Sequence, residues 1–258
     1  MPAQATPVFL DLAAISLYAF FAFFAGLIYY LRTEDKREGY PLVSDRPGVP
    51  RPEVHGFPGT PKPKYFILPH GGTVSTNGPA ERDISAAAEP YDPYPGAPLV
   101  PVVDPMQAGI GTASYVNRSE HPDLTWDDAT PKVVPLRAAA GWGVEEGDPE
   151  IRGRVALGLD GKVAGTVADL WVDKSEYLFR YVEVEVAATG KRTLVPIGLV
   201  TWRGDGPVRI ETATAAQVAA APTLSHPTQV SLREEDRMSG YFGGGELYAT
   251  PNRVEPLV

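Results

Sequence analysis

Hydrophobic and polar positions divide this chain into three textures, and the first is the most extreme. Residues 12–31 read LAAISLYAFFAFFAGLIYYL, an uncharged run between Asp11 and Arg32. A helix rises about 1.5 Å per residue, so the run spans roughly 30 Å, the hydrocarbon thickness of a bilayer. The pattern predicts one membrane-spanning helix. A core helix of a soluble protein would need apolar neighbours on every side, and polar atoms here are confined to Ser16 and the tyrosines 18, 29 and 30. A cleavable signal peptide fits poorly: no Lys or Arg precedes the run, it is too long, and no Ala-x-Ala site follows. Tyr29 and Tyr30 stand where amphipathic rings favour the headgroup level.

The second texture is proline. Fourteen of the 27 prolines fall between Pro41 and Pro101, which excludes long helices and central strands because proline lacks a backbone donor and fixes φ. The expectation is an extended, meandering segment. Inside it, residues 65–68 and 73–76 flank Pro69, His70, Gly71 and Gly72 and predict two small strands around a glycine turn. A free linker is one reading of the stretch. Tyr65, Phe66, Tyr91 and Tyr94 favour the other, a segment docked on a partner surface.

From Arg154 the pattern becomes β. Residues 154–159 and 162–172 are β-rich runs joined by Asp160-Gly161, a pair whose members can both take positive φ in a tight hairpin. Residues 181–186 alternate, so Val182, Val184 and Val186 are expected to face a core while Glu183 and Glu185 face water. Further runs at 191–195, 199–202 and 208–211 complete five or six short strands, a small antiparallel barrel or sandwich. Residues 214–221 predict a short alanine-rich helix halted by Pro222. A stronger helix starts at Ser231, where Ser231 and Glu234 match a capping box and Glu234, Glu235 and Asp236 suit the positive end of a helix dipole. Gly243-Gly244-Gly245 is expected either to end it or to let it approach another backbone.

Charge then sets orientation and narrows function. All Lys and Arg residues lie at or beyond Arg32, with Lys36 and Arg37 close behind it. The positive-inside rule therefore puts the N-terminus outside and the body in the cytoplasm. A net charge of −9 argues against nucleic acid as a partner. Cysteine is absent from the sequence, which excludes disulfides and thiolate chemistry. There is no phosphate-binding P-loop, no complete dinucleotide loop and no HExxH pair; His55, His70, His121 and His226 are widely separated, and Asn117-Arg118-Ser119 is a sequon made idle by a cytoplasmic location. No enzyme is expected. Asp169, Asp173, Glu176, Glu183 and Glu185, with Lys174 and Arg180 among them, cluster around one strand-turn-strand unit. Such acids form a solvated polar face or, where burial and neighbours raise their pKa, a proton relay.

Several longer runs carry a family resemblance. They are Ala25-Gly26-Leu27-Ile28-Tyr29-Tyr30-Leu31 leading into Arg37-Glu38-Gly39-Tyr40-Pro41-Leu42, then Phe66-Ile67-Leu68-Pro69-His70-Gly71. Further on come Gly111 with Ala113-Ser114-Tyr115, Ala138-Ala139-Ala140-Gly141, Asp169-Leu170-Trp171-Val172-Asp173, Glu234-Glu235-Asp236, and Gly243-Gly244 with Leu247-Tyr248-Ala249. Through them the chain resembles the H subunit of the photosynthetic reaction centre of purple bacteria over nearly its whole length. The resemblance implies a single transmembrane α-helix plus a cytoplasmic, mainly-β domain, a small antiparallel barrel of the PRC type with short helices. The expected organisation is a periplasmic N-terminus over 1–11, the membrane helix over 12–31, an extended proline-rich cytoplasmic segment over 32–105 and the PRC-barrel-type domain with a C-terminal helix over 106–258, in a bacterial photosynthetic inner membrane.

The resemblance also implies a role. The subunit would bind no pigment, cofactor or metal of its own and would cap the quinone side of the L and M subunits, which carry bacteriochlorophyll, bacteriopheophytin, quinones and a non-haem iron. An antenna complex and a cytochrome subunit are further candidate members of the assembly. Protons for the secondary quinone would pass Asp173, Glu176 and Arg180, which match the family's Asp, Glu and Arg in order and spacing. The pair of histidines that some family members carry just upstream of the position of Lys132 is absent here, and Asp127, Asp128 and His121 are the candidates for the point where protons enter. Tyr30, Arg32 and Tyr40 resemble a contact with an anionic phospholipid. The competing reading is a membrane-tethered β-barrel module that recruits a soluble partner.

Overall fold

The computed structural model describes residues 11–42, 54–69, 71–76, 86–94 and 96–254. The expected outer segment before Asp11, and His70, lie outside them. The chain forms two compact units, residues 1–78 with 94–96, and residues 79–93 with 97–258.

The first unit is built on α1 (Leu12–Glu34), which among the described residues is the one helix long and apolar enough to cross a membrane. Asp11 caps it, its Oδ1 accepting from the N–H groups of Ala13 and Ala14 at 3.0 and 3.1 Å, as an N-cap carboxylate does. None of its side chains is buried in the isolated chain. Just past its end, Arg37 pairs with Glu34 at 2.8 Å and donates to the Lys62 carbonyl at 2.9 Å. These contacts tie the helix end to a hairpin of β1 (Tyr65–Ile67) and β2 (Thr73–Ser75), in which Phe66 faces Val74 across the pair. The two strands stand where the glycine turn predicts them, and Gly71 and Gly72 both take positive φ, 94° and 88°.

In the second unit, β3 (Ala88–Pro90) and β4 (Leu99–Pro101) form a short antiparallel pair inside the proline-rich stretch. Both are edge strands, and each ends on a proline at a pair that exchanges no backbone hydrogen bond, so the missing donor costs little. After α2 (Pro105–Ala108) comes a seven-stranded sheet made of β5 (Val133–Pro135), β6 (Val155–Leu157), β7 (Val163–Asp173), β8 (Leu178–Val186), β9 (Arg192–Pro196), β10 (Val200–Thr201) and β11 (Val208–Ile210). Its order is β10-β11-β6-β7-β8-β9, with β5 pairing the far end of β7. All pairings are antiparallel except β11 with β6. Alternation along the central strands separates two cores: Leu170, Val172, Val182 and Val184 join the larger one, while Trp171 and Tyr181 join a second with Val133, Leu194, Val230 and Met238.

Two helices close the unit. α3 (Ala215–Ala220) carries a capping box between Thr214 and Gln217, and α4 (Leu232–Tyr248) carries the expected one between Ser231 and Glu234. α4 supplies Met238 to one core and Tyr241 and Phe242 to the other.

Two local expectations change, at the β6–β7 turn and at Glu183, and one open alternative, at the triple glycine, is decided. At the β6–β7 turn only Gly161 takes positive φ, 73°, and Asp160 does not. The loop is longer than a two-residue hairpin because Gly158 N–H bonds to the Lys162 carbonyl and Gly161 N–H to the Gly158 carbonyl, both at 2.9 Å. The triple glycine does not end α4. It allows close approach: a Cβ on Gly245 would lie 1.6 Å from the Thr212 carbonyl oxygen. Finally, Glu183 does not face water. It lies on the face that the alternation assigns it, but its solvent exposure is 0% because Arg137, Arg192 and Trp171 close over it.

Candidate functional site

The β7–β8 unit presents buried carboxylates at two places. At the turn end, Asp173 closes β7 opposite Val133 of β5 and Leu178 of β8. Its side chain is fully buried and divided between two tasks. Oδ1 accepts from the N–H groups of Ser175 and Glu176, at 2.9 and 3.0 Å, and so builds the turn. Oδ2 faces cations: Arg180 Nε at 2.7 Å and Lys132 Nζ at 3.5 Å. The Arg180 N–H does not point along the line to Oδ2, so the contact is an ion pair rather than a hydrogen bond, and neither atom has a hydrogen-bond partner among the described residues.

Lys132 is the hub. Its Nζ also lies 3.8 Å from Asp123 Oδ2 and 4.0 Å from Glu176 Oε1. Asp173, Glu176 and Arg180, the predicted relay residues, are therefore brought together around a cation that the sequence reading left aside. Lys132, Asp123, Asp173 and Arg180 line a polar cavity of about 410 Å³, whose far wall is Tyr181 with Glu235, Asp236 and Ser239 of α4. The Tyr181 hydroxyl donates to Glu235 Oε1 at 2.9 Å. Burial pushes the Glu235 carboxyl above the ordinary glutamate range, and the Tyr181 hydroxyl is raised for the same reason. The cavity thus has one half-exposed acid, Asp123, and two buried ones, Asp173 and Glu235, in its wall, while Glu176, also about half exposed, is linked to it through Lys132.

The candidates for proton intake are placed differently. Asp128 organises its own turn: Thr125 Oγ1 donates to it, as do Thr130 Oγ1 at 2.9 Å and Thr130 N–H at 3.2 Å. These donors, Thr125 first, hold its carboxyl down to about 2, so it stays ionised at neutral pH. Asp127 and His121 are exposed, and the backbone carbonyl of His121 accepts from Leu232 N–H at 3.1 Å. None of the three lines the cavity; Asp123 does.

The second carboxylate site lies further along the same two strands. Glu183 accepts from Arg137 Nη1 at 2.6 Å, Trp171 Nε1 at 2.7 Å and Arg192 Nη1 at 2.8 Å. Asp169, just after an irregularity in the β7–β8 register, accepts from the Arg137 backbone N–H at 3.1 Å and its Nη1 at 3.0 Å. Arg137 also reaches the Pro227 carbonyl. Every carboxylate oxygen of Glu183 has a charged or indole donor, which makes this a closed structural clasp rather than an open site. Among the described residues no group of His, Asp and Glu is arranged to hold a metal ion.

At the end of α1, Tyr30 is exposed and Arg32 pairs loosely with Asp35 at 3.6 Å. Tyr40 lies beneath the buried Lys36, whose Nζ is 5.2 Å from the ring centre, and lines a cavity of about 350 Å³ with Lys36, Arg37 and Thr76.

Signals for Lys132, Asp123 and Glu235 were present but mute. Lys132 and Asp123 sit in a loop with no periodicity, and Glu235 reads as one more acid in a helix N-terminus until the register of α4 turns it inward.

An anchored chain with a sheet of this order, closed by helices and lined by paired carboxylates, is a membrane-anchored PRC-barrel protein: residues 143–214 match the PRC-barrel domain. Residues 5–138, more than half of the chain, match the photosynthetic reaction centre H-chain N-terminal region. The chain belongs to the photosynthetic reaction centre H-chain family, and it is a membrane-anchored subunit of that complex.

Proposed function

We propose that this subunit caps the quinone side of the L and M subunits and conducts protons from the cytoplasm toward the secondary quinone. The pigments, quinones and non-haem iron would be held by those partners. A cytoplasmic body is supported by Arg32, Lys36 and Arg37 directly after an apolar run with no preceding base. The β1–β2 hairpin, with Phe66 and Ile67 uncovered in the isolated chain, suits docking on the partner subunits.

The observation that carries the reading is the arrangement of acids around Lys132 and the polar cavity. Protons move along carboxylates and waters when each group can hold one briefly near neutral pH. Asp123 and Glu176 would meet protons at the solvent side, Asp173 with Arg180 and Lys132 would form the charged link between that side and the cavity, and Glu235, whose affinity for a proton is raised by burial, would hold one on the α4 wall.

Replacing Glu176 with Gln keeps the turn and removes the titrating group. It is expected to slow proton uptake coupled to the second quinone reduction by tenfold or so, with primary charge separation unchanged. An unaltered flash-induced proton uptake rate would remove Glu176 from the path. Purification in mild detergent separates this role from a tethered recruiting module, since only the former predicts co-elution with pigmented subunits and near-infrared absorbance.

A further inference from the structure

The turn that carries Glu176 is held in a backbone conformation that its sequence does not favour. Tyr177 takes φ of 57°, the left-handed region that a large Cβ-bearing residue enters only when its surroundings impose it. Burial does not impose it, because the side chain is 79% exposed. Two contacts do. Tyr177 N–H donates to the Asp173 carbonyl at 2.9 Å, and its ring lies 5.1 Å from that of Trp142, centre to centre, at 42°. Trp142 is anchored in turn. It packs against the larger core, its N–H bonds to the Ala139 carbonyl at 3.1 Å, and it follows Gly141, which has φ of 81°.

Glu176 needs such support more than its neighbours. Asp173 is fixed by two backbone donors and two cations, whereas the Glu176 carboxylate is half exposed and its ion-pair contact with Lys132 is at 4.0 Å, too long to hold a rotamer. Its direction is therefore set by the backbone of the turn, and that backbone is set by the residue after it.

We propose that Trp142 and Tyr177 form an aromatic clamp that aims Glu176 at Lys132, which makes both of them positioning residues for the proton path. The inference rests on the proton-conducting reading above. The clamp works through packing: the core fixes Trp142, Trp142 fixes the Tyr177 ring, and the ring keeps the turn left-handed at the position directly after Glu176, which holds the Glu176 backbone in place.

The test uses the assembled complex and flash-induced proton uptake. Tyr177→Phe keeps the ring and is expected to match the wild type. Tyr177→Gly removes the ring and leaves a position that occupies positive and negative φ about equally well, so no strain is added and the complex should retain its melting temperature, but the turn is no longer held in one conformation and uptake slows at least threefold. In a Glu176→Gln background the glycine change should add nothing, because there is no carboxylate left to aim. Should the glycine variant fail to assemble, Tyr177→Asn, also tolerant of the left-handed region, replaces it. If Glu176→Gln slows uptake and Tyr177→Gly does not, the clamp is overturned while the path stands. Equal slowing by Tyr177→Gly with and without Glu176 also overturns it. If Glu176→Gln itself has no effect, the path reading fails first and the clamp falls with it.

Discussion

Glu183 and Glu185 are two residues apart on one face of β8, yet their energetics should differ several-fold. Glu185 is exposed and makes one long contact with Arg192, at 3.4 Å, whereas Glu183 is buried beneath Arg137, Arg192 and Trp171. Removing Glu183 leaves the buried Trp171 indole N–H unpaired and takes a partner from two arginines that are a third or more exposed, a loss of about 2–3 kcal/mol. Exposed pairs are worth about 1 kcal/mol or less. Urea unfolding of the detergent-solubilised chain should therefore show Glu183→Ala strongly destabilised and Glu185→Ala close to wild type. Glu235 gives a pH signature of opposite character. Its folded-state pKa is raised by burial, so the folded chain binds a proton that the unfolded chain has already released between the two pKa values. Stability from this group falls as pH rises through that interval. Glu235→Gln keeps an acceptor for Tyr181 and removes the titration. Its melting temperature should exceed that of the wild type at pH 8, and the gap should close as pH falls toward the ordinary glutamate value; a gap independent of pH would contradict the burial argument.

At the scale of elements, α4 shows why a glycine run need not be a terminator. The helix runs through Gly243, Gly244 and Gly245 to Tyr248 because two of the three are contact points. A Cβ on Gly244 would meet Ala113 Cβ at 2.5 Å, and one on Gly245 would collide with the Thr212 carbonyl, whereas at Gly243 the nearest such atom is at 3.8 Å. Gly245→Ala is thus expected to destabilise by about 3 kcal/mol or more through overpacking against backbone. Gly243→Ala should stabilise by about 0.5–1 kcal/mol, the helix-propensity gain alone. Thermal melts of the two variants are a direct check. The same contrast marks what could be read from sequence. The membrane helix, the Ser231 capping box and the strand runs were legible because each is a local pattern with one physical meaning. Glu183 was not, because alternation tells which face a side chain is on and not what later covers that face; its cover comes from Arg137, in a segment forty-six positions away, and from Trp171 and Arg192 on the neighbouring strands. Lys132 as a hub was equally hidden, since it is defined by Asp123 in its own loop together with Asp173 and Glu176 of the β7–β8 turn some forty positions further on.

On the scale of the whole molecule, the two units differ in what they can hold together alone. Among the described residues, every buried Ala, Val, Ile, Leu, Met, Phe, Trp and Tyr lies at or beyond Met106, in the second unit. In the first unit the described residues bury little, and its β1–β2 hairpin leaves Tyr65, Phe66 and Ile67 uncovered in the isolated chain. A two-stranded hairpin without a packed face is marginal in water, and uncovered apolar residues clustered on one element mark an interaction surface. Cooperative unfolding of the chain should then report the second unit, while the hairpin matters to assembly. The double change Phe66→Ser with Ile67→Ser is expected to leave the melting temperature of the isolated, detergent-solubilised chain within a degree or two, since those side chains touch no core. The same change should lower the fraction of the chain that co-purifies with pigmented subunits, by tenfold if about 1.4 kcal/mol of docking energy is lost. A fall in melting temperature with undiminished co-purification would reverse the assignment and make the hairpin part of this chain's own core.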